Sequence, residues 1–377
     1  MQIIDSGIVY QGTPETHTAS CCFPSICRFE DGALLVSWRM GRTKDSPDGT
    51  MYYSRSTDNG ATWESPVEPF TQNLGNVPGT YRLDGVAGSL CFAPVTALDA
   101  QRAVTGIMWF DRTDPERPMF NPVTEGLTTV HTLLSESTDQ GHTWSAPRLL
   151  DAGIYHGHAS ICAPIIKLPD GCLACQVETN KEYHDPSPWL QRACLLISAD
   201  GGQTWPELVT VAHDPTGRIR NWDQRHAVAP DGRGTVGIWA FDAVERKELN
   251  FRVSESLDND RTWAEPWDPG IPYQQVYPVY LPDGRLVMLA IDRYQTRTIR
   301  ALLSEDYGRT FSPDELVVHQ QPGGQVEGGE HDHQIADQQL WTFGRIEAVA
   351  GQDNDVWVVH YAGDEHATHI RWVRLRV

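Results

Sequence analysis

The sequence predicts an all-β fold, a six-bladed β-propeller built of four-stranded antiparallel blades. Three observations predict it: a short motif that recurs five times, Asp-Gly dipeptides set between apolar runs, and the near absence of helical periodicity.

The motif reads S-x-D-x-G-x-T-W. It stands at 56–63 and returns at 137–144 and 198–205; at 256–263 Asp260 takes the glycine position, and at 304–311 Phe311 takes the tryptophan position. Its chemistry suits a tight turn between two strands. The Asp carboxylate accepts from the backbone N–H groups just after it. Gly supplies a positive φ at little steric cost, and the Trp folds back as an apolar plug. Each copy follows a strand-like stretch such as Ala193-Cys-Leu-Leu-Ile197.

The dipeptides Asp31-Gly32, Asp170-Gly171, Asp231-Gly232 and Asp283-Gly284 interleave with the motif. Asp-Gly between apolar runs is the strongest short-range hairpin cue. Each unit therefore reads as strand A, Asp-Gly turn, strand B, a variable loop, strand C, motif, strand D. That is one propeller blade. Five units carry the motif, and a sixth without it spans about 341–377 around Gly351-Gln-Asp-Asn-Asp355. Ile3–Tyr10 is expected to complete the sixth blade, so that residues 1–377 close into one propeller domain.

Composition narrows the function. Thirty Lys and Arg against fifty Asp and Glu give a net charge of −20, a field that repels DNA and RNA. No basic-then-apolar leader is visible, and no apolar run reaches the roughly 18 residues of a membrane span. A cytoplasmic protein without membrane or nucleic-acid partners is expected, its oligomeric state open. The eight cysteines sit inside apolar strand-like stretches and read as buried free thiols. Cys172 and Cys175 form a lone C-x-x-C with no second pair at zinc spacing, and no cofactor is assigned.

A propeller with these boxes resembles the sialidase superfamily, whose Asp-box (BNR) repeats match from about residue 15 to 377. The resemblance implies that boxes and Asp-Gly turns share one rim. A-strand starts and B–C loops then share the other, where they form a carbohydrate-binding cup. It also implies an Arg triad for a substrate carboxylate, a Tyr–Glu nucleophile pair and an Asp acid/base. The chain departs from that set. Cys22-Phe23-Pro24 stands where an Arg is expected before Ile-Pro, and Phe343-Gly344-Arg345 stands where the Tyr is expected. Arg293 falls near one triad position. A typical sialidase is therefore not expected.

Glycoside hydrolysis uses two carboxyl groups, one of them kept protonated by its surroundings. The candidate catalytic carboxyls are Asp84, beside an A-strand start, Glu178, ending an apolar B strand where burial would raise its pKa, and Asp223. The candidate substrate ligands are Arg39, Arg42, Tyr81, His158, Arg225, His226, Tyr277, Arg293 and Arg345. Their guanidiniums suit a sugar carboxylate. Trp38, Trp109, Trp189, Trp222 and Trp239 fall toward the cup as stacking faces. The expected activity is an exo-acting glycoside hydrolase of sialidase type on an acidic or modified sugar. Two alternatives stand beside it. A His or Tyr base with an Arg facing a uronate would make a polysaccharide lyase, and a non-catalytic carbohydrate-binding propeller would need no acid. His156-Gly-His158 and Glu330-His-Asp-His333 leave a divalent metal open, though none is assigned.

Overall fold

The computed structural model describes residues 1–152, 158–322 and 341–377, without the side chain of His158. The chain forms a six-bladed propeller. Blade one holds Ser20–Arg28, Leu34–Gly41 and Thr50–Ser56, with Val67 bridged to Tyr53 at its outer edge. Blade two holds Val86–Phe92 continued by Val95–Ala97, then Ala103–Asp111, Val130–Ser137 and Arg148–Leu149. Blade three holds His158–Ile161 with Ile166–Lys167, Leu173–Asn180, Arg192–Ser198 and Glu207–His213. Blade four holds Ile219–Val228, Gly234–Asp242 and Arg252–Ser256, with Trp267 bridged to Val253. Blade five runs Val276–Tyr280, Leu286–Asp292, Thr298–Ser304 and Leu316–Gln320.

Blade six borrows its last strand from the other end of the chain. Phe343–Ala350, Asp355–Gly363 and Thr368–Arg376 are followed outward by Gln2–Tyr10, which pairs antiparallel from Gln2↔Arg376 to Tyr10↔Ile370. The expected closing role of the first strand is therefore met. Closure shows equally in the core. Six apolar clusters each join one pair of neighbouring blades, and the cluster of Val9, Trp38, Trp357 and Trp372 joins blade six to blade one. Because blades are covered on both faces, their middle strands read as continuous apolar runs: Leu286–Asp292 is buried throughout.

The boxes are hydrogen-bonded as their chemistry predicts. In the first, Ser56 donates to Asp58 Oδ1 at 2.8 Å, the Thr62 N–H donates to the same oxygen at 2.9 Å, and Thr62 Oγ1 donates to Oδ2 at 2.6 Å. The other four repeat this set. Boxes and Asp-Gly turns share a rim, and three boxes touch the turn of the blade before them. Gln140 donates to Asp31 at 2.8 Å, Arg261 meets Asp170 at 3.3 Å, and Tyr307 donates to Asp231 at 3.0 Å. Of the box tryptophans only Trp205 is fully buried; Trp63, Trp144 and Trp263 are half-buried plugs. All eight cysteines are free, and Cys172 alone is not buried.

Candidate active site

Three inner strands carry the same irregularity. Their pairing register slips between Cys22 and Ser25, between Trp222 and Arg225, and between Gly344 and Glu347. In each slip one residue takes a positive φ: Phe23 at 53°, Asp223 at 49° and Arg345 at 35°. A bulge re-aims the side chain it carries, and these three line one cavity at the rim away from the boxes. Left-handed backbone costs Phe or Arg on the order of 1–3 kcal/mol, so the flanking pairs must hold it. Two residues deeper along the same strands, Ser25, Arg225 and Glu347 are each 0 % exposed.

Glu178, Asp223, Gln275, Arg293 and Arg345 supply the polar lining of this cup. Trp189, Trp222, Trp239 and Trp341 form a connected aromatic wall, with ring centres 6.1, 5.7 and 5.9 Å apart in that order. Phe23, Phe92, Met108, Phe110, Met119 and Phe120 add an apolar flank from blades one and two. Lys44 donates to the Trp341 carbonyl and so ties a blade-one loop to the wall. The cavity measures about 150 Å³, room for about five waters at ~30 Å³ each.

The two carboxyls have opposite electrostatic settings. Burial pushes Glu178 up to about 8, and the neighbouring Asp223 charge adds to that rise. Burial also opposes ionisation of Asp223, but the guanidiniums of Arg225, Arg345 and Arg293 outweigh it and hold its carboxyl below the usual range. Arg225 lies 3.1 Å from Asp223 Oδ1, Arg345 3.7 Å from the same oxygen, and Gln275 donates to Oδ2 at 2.5 Å. The Asp223 backbone N–H donates to Glu178 Oε1, which couples the two groups. Asp223 still keeps 23 % of its side chain open, enough for a ligand to reach it.

Arg293 stands differently. Its guanidinium lies over Trp341 at 4.0 Å and Trp239 at 5.2 Å, while Nε and Nη1 have no hydrogen-bond partner. Arg345 sits 3.6 Å over the Phe92 ring and donates to the Cys162 carbonyl at 2.5 Å. Despite the overall negative charge, the cup presents cations.

The cup therefore gathers Glu178, Asp223, Arg293 and Arg345 of the expected residues, with Arg225 directly behind Asp223. Others lie elsewhere. Asp84 is the φ 48° residue of a hairpin turn joining Tyr81–Leu83 to Val86–Phe92, and it is exposed outside the cavity. Tyr81 packs in the core between blades one and two. Arg39 is buried and spends its guanidinium on the carbonyls of Thr43 and Ser46 at 2.7 and 2.6 Å. A Cβ on Gly49 would fall 1.7 Å from Arg39 Nη2, so that position must be glycine. Arg42 points outward, 74 % exposed, to Asp48. His226 faces Asp260 at 3.0 Å under Trp263, which compensates for the non-glycine box of blade four. Tyr277 lies in the core between blades five and six. The His158 side chain, His156 and residues 330–333 fall outside the described residues.

Among the tryptophans, Trp38 and Trp109 are core residues, whereas Trp189, Trp222 and Trp239 line the cup as expected. The sequence reading missed Gln275, Trp341, Tyr361 and Glu347. Burial pushes the Glu347 carboxyl up to about 7, and Arg345 is 4.0 Å away. Its signal was present: Glu347 follows Arg345 at the spacing by which Arg225 follows Asp223. Among the described residues no three His, Cys, Asp or Glu side chains gather as a metal site, and no helix is long and apolar enough to cross a membrane.

No family model matches the chain, and no curated protein does. Its fold matches solved structures. A protein of unknown function from Dyadobacter fermentans superposes with a TM-score of 0.73 at 17% identity, over 100% of this chain and 99% of that one. The intramolecular trans-sialidase of Ruminococcus gnavus, in complex with oseltamivir carboxylate, gives 0.67 at 12% identity, over 100% and 98%. An α-L-arabinanase of Penicillium chrysogenum, complexed with arabinobiose, gives 0.61 at 14% identity, over 100% and 99%. Sialidases and an arabinanase thus share this chain's propeller fold.

Proposed function

We propose that the protein is an exo-acting glycoside hydrolase that removes a terminal acidic or modified sugar and is not a typical sialidase. The observation that carries this reading is the pair of cup carboxyls held in opposite protonation states, Glu178 raised and Asp223 lowered. Protonated Glu178 donates to the leaving oxygen. Ionised Asp223, kept so by Arg225 and Gln275, stabilises the cationic sugar or activates what attacks it. The unpaired Arg293 offers a fork to a sugar carboxylate, and the tryptophan wall offers a stacking face. A cavity of 150 Å³ suits one ring rather than a threaded chain, which favours release from a chain end.

Two departures argue against a sialic acid substrate. Cys22 is fully buried where the resemblance asks for an arginine, and Phe343 is buried where it asks for a tyrosine. Tyr361 does reach the cup, but burial raises its hydroxyl pKa and no carboxylate contacts it among the described residues. The lyase alternative loses Tyr81, Tyr277 and His226 as bases, because none of them lines the cup.

The test is a panel of fluorogenic glycosides covering sialic acid, other ulosonic acids, uronic acids and arabinofuranose. Release from a non-sialoside with little or none from the sialoside is the expected result. Efficient sialoside turnover, or an unsaturated product, would overturn it. With a carboxylate-bearing substrate, Arg293→Ala is expected to raise KM far more than it lowers kcat. A lost charged hydrogen bond of about 1.5–3 kcal/mol corresponds to roughly 10- to 150-fold in affinity. An unchanged KM would remove Arg293 from the site.

A further inference from the structure

Another cavity, basic groups set in a largely apolar lining that includes Val318, Trp372 and Val373, lies outside the cup, in the seam where blade five meets the closing blade. It measures about 170 Å³ and is lined by Ile3, Ser6, Gly7 and Ile8 of the closing strand, with His319, His360 and Arg371 supplying its basic groups. The imidazole centres of His319 and His360 are 4.8 Å apart. His360 pairs with Arg371 across the sheet, and Arg371 pairs with Ile8.

The hydrogen bonding of this seam is incomplete. His360 is 1 % exposed, and neither of its ring nitrogens has a hydrogen-bond partner among the described residues. A buried polar atom without a partner is rare enough to require an explanation. Among the described residues Arg371 Nε is buried and unpaired as well, and the guanidinium forms no ion pair. His319 has one hydrogen bond among the described residues, with Gln321 Oε1 at 3.0 Å. The charged and titratable groups facing the cavity are therefore His319 from blade five and His360 and Arg371 from blade six. The closing strand contributes none, and among the described residues no carboxylate lines the cavity.

We infer that this seam is a binding site for a small oxyanion of the phosphate or sulfate type. Arg371 supplies fixed positive charge and each imidazole an N–H donor, a set that matches an acceptor-only tetrahedral anion. A divalent cation fits worse, because two imidazoles without a carboxylate leave its charge uncompensated beside an arginine. An anion here would bridge the last strand of blade five to the blade that closes the ring. It would also favour protonation of imidazoles that burial otherwise keeps neutral, so binding tightens as pH falls.

The experiment is thermal melting of the full chain in sulfate, in phosphate and in chloride of matched ionic strength. Sulfate keeps its charge between pH 6 and 8 and therefore isolates the histidines. The expected result is a Tm rise of about 2–5 °C in saturating sulfate, larger at pH 6 than at pH 8. The rise persists in Arg293→Ala, disappears in Arg371→Gln and shrinks in His319→Gln. His319 is only half-buried, so its variant keeps the test open if Arg371→Gln fails to fold. A crystal soaked in selenate should show anomalous density beside His360. No rise in either oxyanion, a rise abolished only by Arg293→Ala, or a rise with zinc alone would each overturn the assignment.

Discussion

Replacing Glu178 by Gln is expected to lower kcat/KM on an unactivated glycoside by roughly 10²- to 10⁴-fold, the usual contribution of a general acid, with little change in Tm. The melt holds because Glu178 is protonated at neutral pH, with its acid lifted to about 8, so Gln is close to its native charge and shape. Gln Oε1 still accepts from the Asp223 N–H. The wild-type rate should fall as pH rises through about 8, since only protonated Glu178 donates. A substrate with a nitrophenolate leaving group, which needs no proton, should lose much less in the variant. Asp223→Asn makes the contrast. It removes the counter-charge of the fully buried Arg225, and breaking such a pair costs about 3–5 kcal/mol. Activity and stability should therefore fall together. Full activity in Glu178→Gln, or an undisturbed melt in Asp223→Asn, would contradict these roles.

Trp205→Ala should give the largest loss of stability among the boxes, about 3–5 kcal/mol for a buried aromatic truncated to Ala. Its ring is 0 % exposed in the layer between blades two and three, against Phe92, Leu134, Ile161 and Cys175. Its Nε1 has no partner, so the substitution removes packing alone. Trp144 is half-buried, 5.0 Å from Tyr53, and its truncation should cost less. Urea unfolding of both variants measures the order. Equal losses would mean that the boxes plug their seams regardless of depth.

The architecture was legible because its punctuation is local. An Asp-box closes its hydrogen bonds within eight residues, and each Asp-Gly turn within five, so neither depends on distant partners. The candidate site was legible only in part. Glu178 was found because an apolar strand ending in a carboxylate signals burial directly. Asp84 was misread because its own Asp-Gly, the cue that located the other turns, was taken for a strand start; Tyr81–Leu83 and Val86–Phe92 form an extra hairpin there. Arg39 was misassigned because the carbonyls of its own B–C loop take its guanidinium; His226 was misassigned for a deeper reason. Strict alternation fixes which way a strand residue points, but bulges at Phe23, Asp223 and Arg345 reset that phase inside the very strands that build the cup. A bulge is set by pairing with a partner strand, which no local pattern reports.

The strand Gln2–Tyr10 has a partner that is synthesised long after it. Gln2 pairs with Arg376, so on a ribosome adding ~5–20 residues per second it waits roughly 20–75 s before its sheet exists. An unpaired strand is an invitation to wrong partners. Asp5, Ser6 and Gly7 interrupt its apolar residues Ile3, Ile4, Ile8, Val9 and Tyr10, of which only Val9 is buried in the finished fold. The rest of the ring can assemble while this strand waits unpaired, and translation speed rather than folding speed sets when the ring shuts.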